Sequence, residues 1–218
     1  MEKIRVILTG ATGMVGEGVL HHCLADDRVE QILSLSRKPC GIRHPKLTEL
    51  LHSNFEDLTP IADKLEGYEA CFFCLGLSSV GVKADDYYRM TYTLTLHVAA
   101  ILTAQNAGMT FCYVSGAHTD SSEKGRLRWA RVKGKTENDL MKLPFKAVFN
   151  FRPGAMQSFK EAQNVPTLYK PAIQLVKIFA PKKLIHLSQL AKAMITVSTE
   201  GYQSSILEIS DIQKAAVS

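Results

Sequence analysis

An apolar run, Ile4–Leu8, leads straight into Thr9-Gly10-Ala11-Thr12-Gly13-Met14-Val15-Gly16, and a helical pattern opens at Met14. Three glycines at this spacing between a strand and a helix restrict the chain more than any other feature it has. Gly10 permits a tight turn, Gly13 lets the backbone approach a pyrophosphate, and Gly16 allows close packing of helix on strand. The free amides of the first helical turn, around Thr12, Met14 and Val15, would then face the anionic oxygens.

The rest of the chain repeats the strand-then-helix rhythm of a parallel sheet covered by helices. Strands are predicted at 31–36, 47–51, 69–75, 110–115 and 146–151, and their nearly continuous apolar content fits burial on both faces. Helices are predicted at 14–24, 84–106 and 128–142, with a short one at 60–65. Beyond Arg152-Pro153-Gly154 the rhythm changes to helices at 168–179, broken by Pro171, and 187–200, then a short strand at 205–209. The expected class is α/β, a Rossmann-type doubly wound parallel sheet. No linker or repeat marks a second domain, so residues 1–218 are expected to form one. A small helical extension, about 155–218, would pack on the open end of the sheet and shape a substrate pocket.

A formal charge of +5 and a pI near 8.9 make the chain mildly basic. Lys and Arg are scattered, and the densest group, Lys124–Lys135, is flanked by Glu123 and Glu137. That balance suits a phosphate-bearing small ligand, and no basic arm or recognition motif points to nucleic acid. No secretory signal and no apolar stretch of membrane-spanning length is evident, so a cytoplasmic protein is expected. Cys23, Cys40, Cys71, Cys74 and Cys112 are odd in number and read as reduced thiols. Cys71 and Cys74 form a CxxC, yet on a strand that spacing points the two side chains to opposite faces. The seven histidines are dispersed, and no cluster has metal-ligand spacing.

The Gly-x-x-Gly-x-x-Gly spacing resembles that of the extended and atypical short-chain dehydrogenase/reductase families, nearest to their small NAD(P)H-binding, epimerase-like members. The resemblance runs through Ser36-Arg37, Cys74-Leu75-Gly76, Val114-Ser115, Lys133 and Arg152-Pro153-Gly154. It implies that Asn54-Phe55 lie by the adenine, and that Cys74, Leu75 and Gly76 pass the central ribose and nicotinamide. Lys133, Pro153 and Gly154 would complete the cofactor site, and Thr91 falls where relatives often carry Asn. A helix-mediated homodimer is common in such folds. Where an acidic residue would bind the ribose of NAD, this chain has Ser36-Arg37-Lys38. Arg37 can pair with a 2′-phosphate and Ser36 can donate a further bond, so NADP(H) is favoured over NAD(H).

Short-chain dehydrogenases usually act through a Ser, a Tyr and a Lys, with Tyr and Lys four apart on one helix. Here Lys133 is in place, but Trp129 holds the tyrosine position and has no hydroxyl to donate. Two readings stand for the serine: Ser115 itself, or Ser115 as the first of the usual pair with Gly116 at the functional place. His118, Thr119, Ser121, Ser122, Tyr87 and Tyr88 are alternative proton donors. Two functions fit: an NADP(H)-dependent oxidoreductase or epimerase-like enzyme on a small carbonyl, hydroxyl or quinone substrate, and a non-catalytic NADP(H)-sensing regulatory protein. In a quinone reductase Trp129 would stack on a planar ring.

Overall fold

In the computed structural model, described for residues 3–159, 162–165 and 169–217, the apolar runs become parallel strands and the intervening patterns become helices. The chain passes through β1 (Ile4–Thr9), α1 (Met14–Ala25), β2 (Val29–Ser36), β3 (Leu47–Leu51) and a 3-10 turn at Thr59–Leu65. Next come β4 (Ala70–Phe73), α2 (Ala84–Tyr88), a π turn at Arg89–Thr93, α3 (Leu94–Gln105), β5 (Thr110–Val114), α4 (Arg128–Leu140) and β6 (Ala147–Phe151). The C-terminal part holds β7 (Ala155–Gln157), α5 (Tyr169–Phe179), β8 (Leu184–His186), α6 (Leu187–Thr199), β9 (Ile206–Leu207) and α7 (Ile209–Ala215).

Seven strands form one sheet in the order β3-β2-β1-β4-β5-β6-β9, every neighbouring pair parallel. The winding reverses between β1 and β4, which opens a crevice beyond their C-terminal ends. The period-2 geometry of the strands divides the core cleanly. Val6, Leu8, Phe72, Cys112 and Phe151 face α1, α6 and α7, while Ile7, Phe73, Cys71, Phe111 and Tyr113 face α3 and the 3-10 turn. The α/β, Rossmann-type expectation is therefore met. Cys71 and Cys74 pack against opposite clusters, and all five cysteines are free thiols.

Several details differ from the sequence reading. The fourth strand stops at Phe73 because the chain must bend past Gly10, and the long helix over 84–106 is interrupted by the π turn. Helix α5 begins at Tyr169, so position 171 lies in its first turn, where proline is tolerated, and does not break it. Leu168 lies outside the described residues. The last strand is only Ile206–Leu207, and the unforeseen α7 follows it. Also unforeseen is a second small sheet, in which β7 and β8 pair in parallel. Three-residue strands carry too little pattern to be read from a sequence.

At the base of α1, a Cβ on Gly16 would lie 2.1 Å from the Gly10 carbonyl oxygen. Both groups are backbone and cannot rotate away. Gly16→Ala is expected to cost about 1–3 kcal/mol of stability, as overpacking does, measured by urea unfolding. An unchanged midpoint would show that this contact is not a tight one.

Candidate functional site

Each glycine of the loop answers to a different constraint. Gly10 has φ +76°, and a Cβ there would sit 2.7 Å from the Cys74 carbonyl group, so turn and strand crossing both demand glycine. Gly16 is demanded by its contact with Gly10. Gly13 is not demanded at all: its φ is −106°, and a Cβ would meet only the Gly10 oxygen, at 3.5 Å. It caps α1 without any side-chain hydrogen bond, so the first-turn amides open onto free space. A Cβ at 13 would fill that space rather than clash with the protein, as expected of a cradle for a phosphate group.

Two cavities adjoin at this loop. The first, about 940 Å³, is lined by Gly10, Thr12, Ser36, Arg37, Asn54, Phe55 and Leu75, among others. The second, about 980 Å³, is lined by Gly13, Met14, Val15, Cys74, Gly76, Ser115, Trp129, Lys133, Pro153 and Gly154 together with residues of the C-terminal part. Of the loop glycines named above, Gly16 alone lines neither, because it is taken up by helix packing.

In the first cavity Arg37 and Lys38 are exposed at the end of β2. Ser36 does not act as the sequence suggested. Its hydroxyl donates to the Lys38 carbonyl at 2.7 Å, so it pins the turn that presents Arg37 instead of offering a free proton. Asn54 accepts the Glu56 amide through its side-chain oxygen at 3.1 Å. Sequence reasoning missed three contributors. Arg89, in the π turn, lines the cavity and pairs with Glu56 at 3.0 Å, and Gln163 and Asn164 reach it from the C-terminal part. The backbone amides of the latter two donate to the buried carboxylate of Glu17, at 2.8 and 2.9 Å.

In the second cavity the four-residue spacing of α4 turns Trp129 and Lys133 to the same side. Lys133 donates to the Ser115 carbonyl, and burial lowers its pKa to about 8 despite the nearby Glu137. Ser115 itself is buried, and its hydroxyl is held by the Glu137 carboxylate and the Phe151 carbonyl. It is therefore a structural anchor in this arrangement, not a free hydroxyl facing Lys133. Gly116 occupies the next place at φ +136°, a backbone that serine would adopt only under strain.

The alternative donors separate sharply. The Thr119 hydroxyl donates to the Gly116 carbonyl, Ser121 accepts from Arg152, and Ser122 donates to Asp120. Tyr87 and Tyr88 line neither cavity. His118 does line the second cavity, held at φ +66°, a conformation uncommon for any residue but glycine. No sequence pattern pointed to Tyr169, which reaches the same cavity from α5. Its oxygen accepts the Met156 amide at 2.9 Å, and burial raises its pKa.

Beneath this cavity Glu137, fully buried, receives Arg152 through its Nε at 3.1 and 3.2 Å and through a second nitrogen. Arg152 also reaches Glu208 at 3.1 Å, so α4, β6 and the start of α7 are tied together. Trp129, Lys133 and Glu137 follow one another at four-residue steps, and that spacing is the signal by which Glu137 could have been found. Glu137→Ala would strand a nearly buried guanidinium. It is expected to cost about 3–5 kcal/mol in chemical denaturation, whereas a loss under about 1 kcal/mol would show the pair to be well hydrated.

No protein-family model matches the chain. It is 26% identical to the mitochondrial protein FMP52 of Meyerozyma guilliermondii, over 94% of this chain and 90% of that one. Against the mitochondrial FMP52 of Candida glabrata the identity is 27%, over 72% of this chain and 65% of the relative. Against protein HTATIP2 of Rattus norvegicus it is 24%, over 72% and 64%. The chain thus spans just under two thirds of the last two relatives. The expectation of a cytoplasmic protein is corrected here, since the fungal relatives are named as mitochondrial proteins. Among the described residues, no helix is long and apolar enough to cross a membrane.

Among solved structures, the chain superposes with a TM-score of 0.70 on WbmF of Bordetella bronchiseptica in complex with NAD+ and UDP. That match is 14% identical and covers 98% of this chain and 76% of the other. UDP-N-acetylglucosamine 4-epimerase of Methanobrevibacter ruminantium matches with a TM-score of 0.69 at 14% identity, over 95% and 76%. The resemblance read from the glycine loop is therefore borne out: the chain has the Rossmann fold of the epimerase-type short-chain dehydrogenase/reductases.

Proposed function

We propose that this chain binds NADP(H) along the groove made by its two cavities and acts as an oxidoreductase on a small, largely apolar carbonyl, hydroxyl or quinone substrate. The observation that carries the reading is Gly13, a glycine the protein does not need for itself, at the junction of the two cavities. The first-turn amides of α1 would hold the pyrophosphate, Phe55 and Asn54 the adenosine half, and Arg37 the 2′-phosphate. Glu56 is the acidic residue in that cavity, and Arg89 already neutralises it. When bound, a nicotinamide cofactor supplies or accepts the hydride.

The chain's own groups would do the rest. Met14, Val15, Leu77, Met156, Val176 and Ile209 give the second cavity an apolar lining that excludes water from the reacting centre. Trp129 offers a flat face and one N–H donor. With an amine near pH 8, Lys133 is poised to change protonation close to neutrality. Tyr169 accepts a backbone amide, which leaves its own hydroxyl proton free to be donated into the cavity. It is the phenol proposed to stand in for the one missing at position 129.

Titration calorimetry with NADPH, NADP+, NADH and NAD+ tests the cofactor assignment. Binding is expected to favour the phosphorylated pair, to vanish in Gly13→Asp, and to lose about 1–3 kcal/mol of that preference in Arg37→Ala. An unaltered ratio in Arg37→Ala would place 2′-phosphate recognition elsewhere. Trp129→Tyr restores the tyrosine–lysine spacing and should raise NADPH-dependent aldehyde reduction about a hundredfold. Tight NADPH binding with no turnover of aldehydes or quinones, in either form, would favour a regulatory NADP(H) sensor, the reading that Trp129 itself invites.

A further inference from the structure

A buried acid sits in the first turn of α1, the helix whose free amides open onto the groove. Glu17 is 5% exposed, and its amide donates to the Gly13 carbonyl at 2.8 Å. The helix dipole favours an acidic residue at this end, but its charge competes with any anion brought to the same amides. Its carboxylate is turned to other partners. One oxygen accepts the Gln163 amide at 2.8 Å and the other accepts the Asn164 amide at 2.9 Å.

One turn further along the same face of α1, the His21 ring packs against Phe159 with centroids 4.6 Å apart. The helix thus holds the C-terminal part at two points, and at Glu17 it does so through hydrogen bonds to a charged acceptor, the stronger kind. What this clasp presents is a pair of side chains. Gln163 and Asn164 are exposed and line the first cavity together with Gly10 and Thr12. Among the described residues neither side-chain amide has a hydrogen-bond partner. Their backbones are engaged and their side chains are free to donate.

A primary amide is a neutral N–H donor, well suited to phosphate oxygens. Anchorage at the first turn of α1 favours the pyrophosphate end of the cavity over the end at Asn54 and Phe55. The clasped and the ligand-bound states also support each other. With the two backbone amides withdrawn, a carboxylate stripped of its partners would be left close to the phosphates, at a cost in both desolvation and repulsion. We infer that Gln163 and Asn164 contact the cofactor pyrophosphate through their side-chain amides, and that Glu17 is the positioning residue that holds them there. These roles presuppose a dinucleotide in the groove.

Titration calorimetry on the full chain, with hydrogen exchange alongside, tests both roles. Gln163→Ala combined with Asn164→Ala keeps both backbone amides, so the clasp and the fold are retained. This double variant should weaken NADPH and NADH binding alike, by about tenfold or more, because the pyrophosphate is common to both. Glu17→Ala should release the exchange protection of the amides at 163 and 164 and weaken binding by a similar factor. In the triple variant the loss should equal that of Glu17→Ala alone, since side chains no longer held in place have nothing left to contribute. Circular dichroism checks that each variant is folded, and the double variant decides the contact even if Glu17→Ala is not. Fully additive losses overturn the positioning role of Glu17, and a loss confined to NADPH overturns the pyrophosphate assignment. Normal wild-type binding with an unaffected double variant overturns these roles alone, whereas a wild-type chain that binds neither dinucleotide overturns the reading of the groove and these roles with it.

Discussion

The close approach of α1 to its own loop, where no Cβ fits between Gly16 and the Gly10 carbonyl, is the constraint on which the site depends. It fixes where the helix begins and therefore where its unpaired amides point. Gly10, turned into the left-handed region, lets the end of β4 pass at Cys74. With these backbones in contact, the space above Gly13 is left between the two cavities. The mouth of the groove follows from the glycines, and the reversal of strand order between β1 and β4 sets it at the C-terminal edge of the sheet.

At the far end a different interaction governs. The buried Glu137–Arg152 pair joins α4 to β6 and, through Glu208, to α7. A pair so enclosed adds little net stability over an apolar core, but removal of either partner is costly, so it specifies one arrangement. That arrangement turns Ser115 inward, brings the Ser115 carbonyl to Lys133, and leaves Trp129 and Lys133 facing the second cavity. The positions read from the sequence as a serine and a tyrosine site are here an anchor and an indole, and a phenol, that of Tyr169, lines the cavity from α5.

The fold was largely legible because its signals are local. Apolar runs, the glycine loop and helix-length patterns each fall within a dozen residues, and they place β1, β2, β5, β6 and α1 closely. The lining of the first cavity was legible for the same reason, since Arg37, Asn54 and Leu75 follow closely on strand ends. What could not be read depends on contacts between distant segments. Tyr169 reaches Lys133's cavity only through the packing of the C-terminal part, and Gln163 and Asn164 arrive by way of Glu17, whose burial no pattern announces. The engagement of Ser36 with a carbonyl two residues away was local, but a serine hydroxyl offers no sign of which acceptor it will choose.

The central claim is that the two cavities form one dinucleotide groove, and hydrogen exchange at single-residue resolution tests it most directly. Addition of NADPH should protect backbone amides at 13–16 and around 37 and 55 in one half, and around 76 and 116 in the other. Protection confined to one half, or absent from the amides at 13–16, would contradict the account.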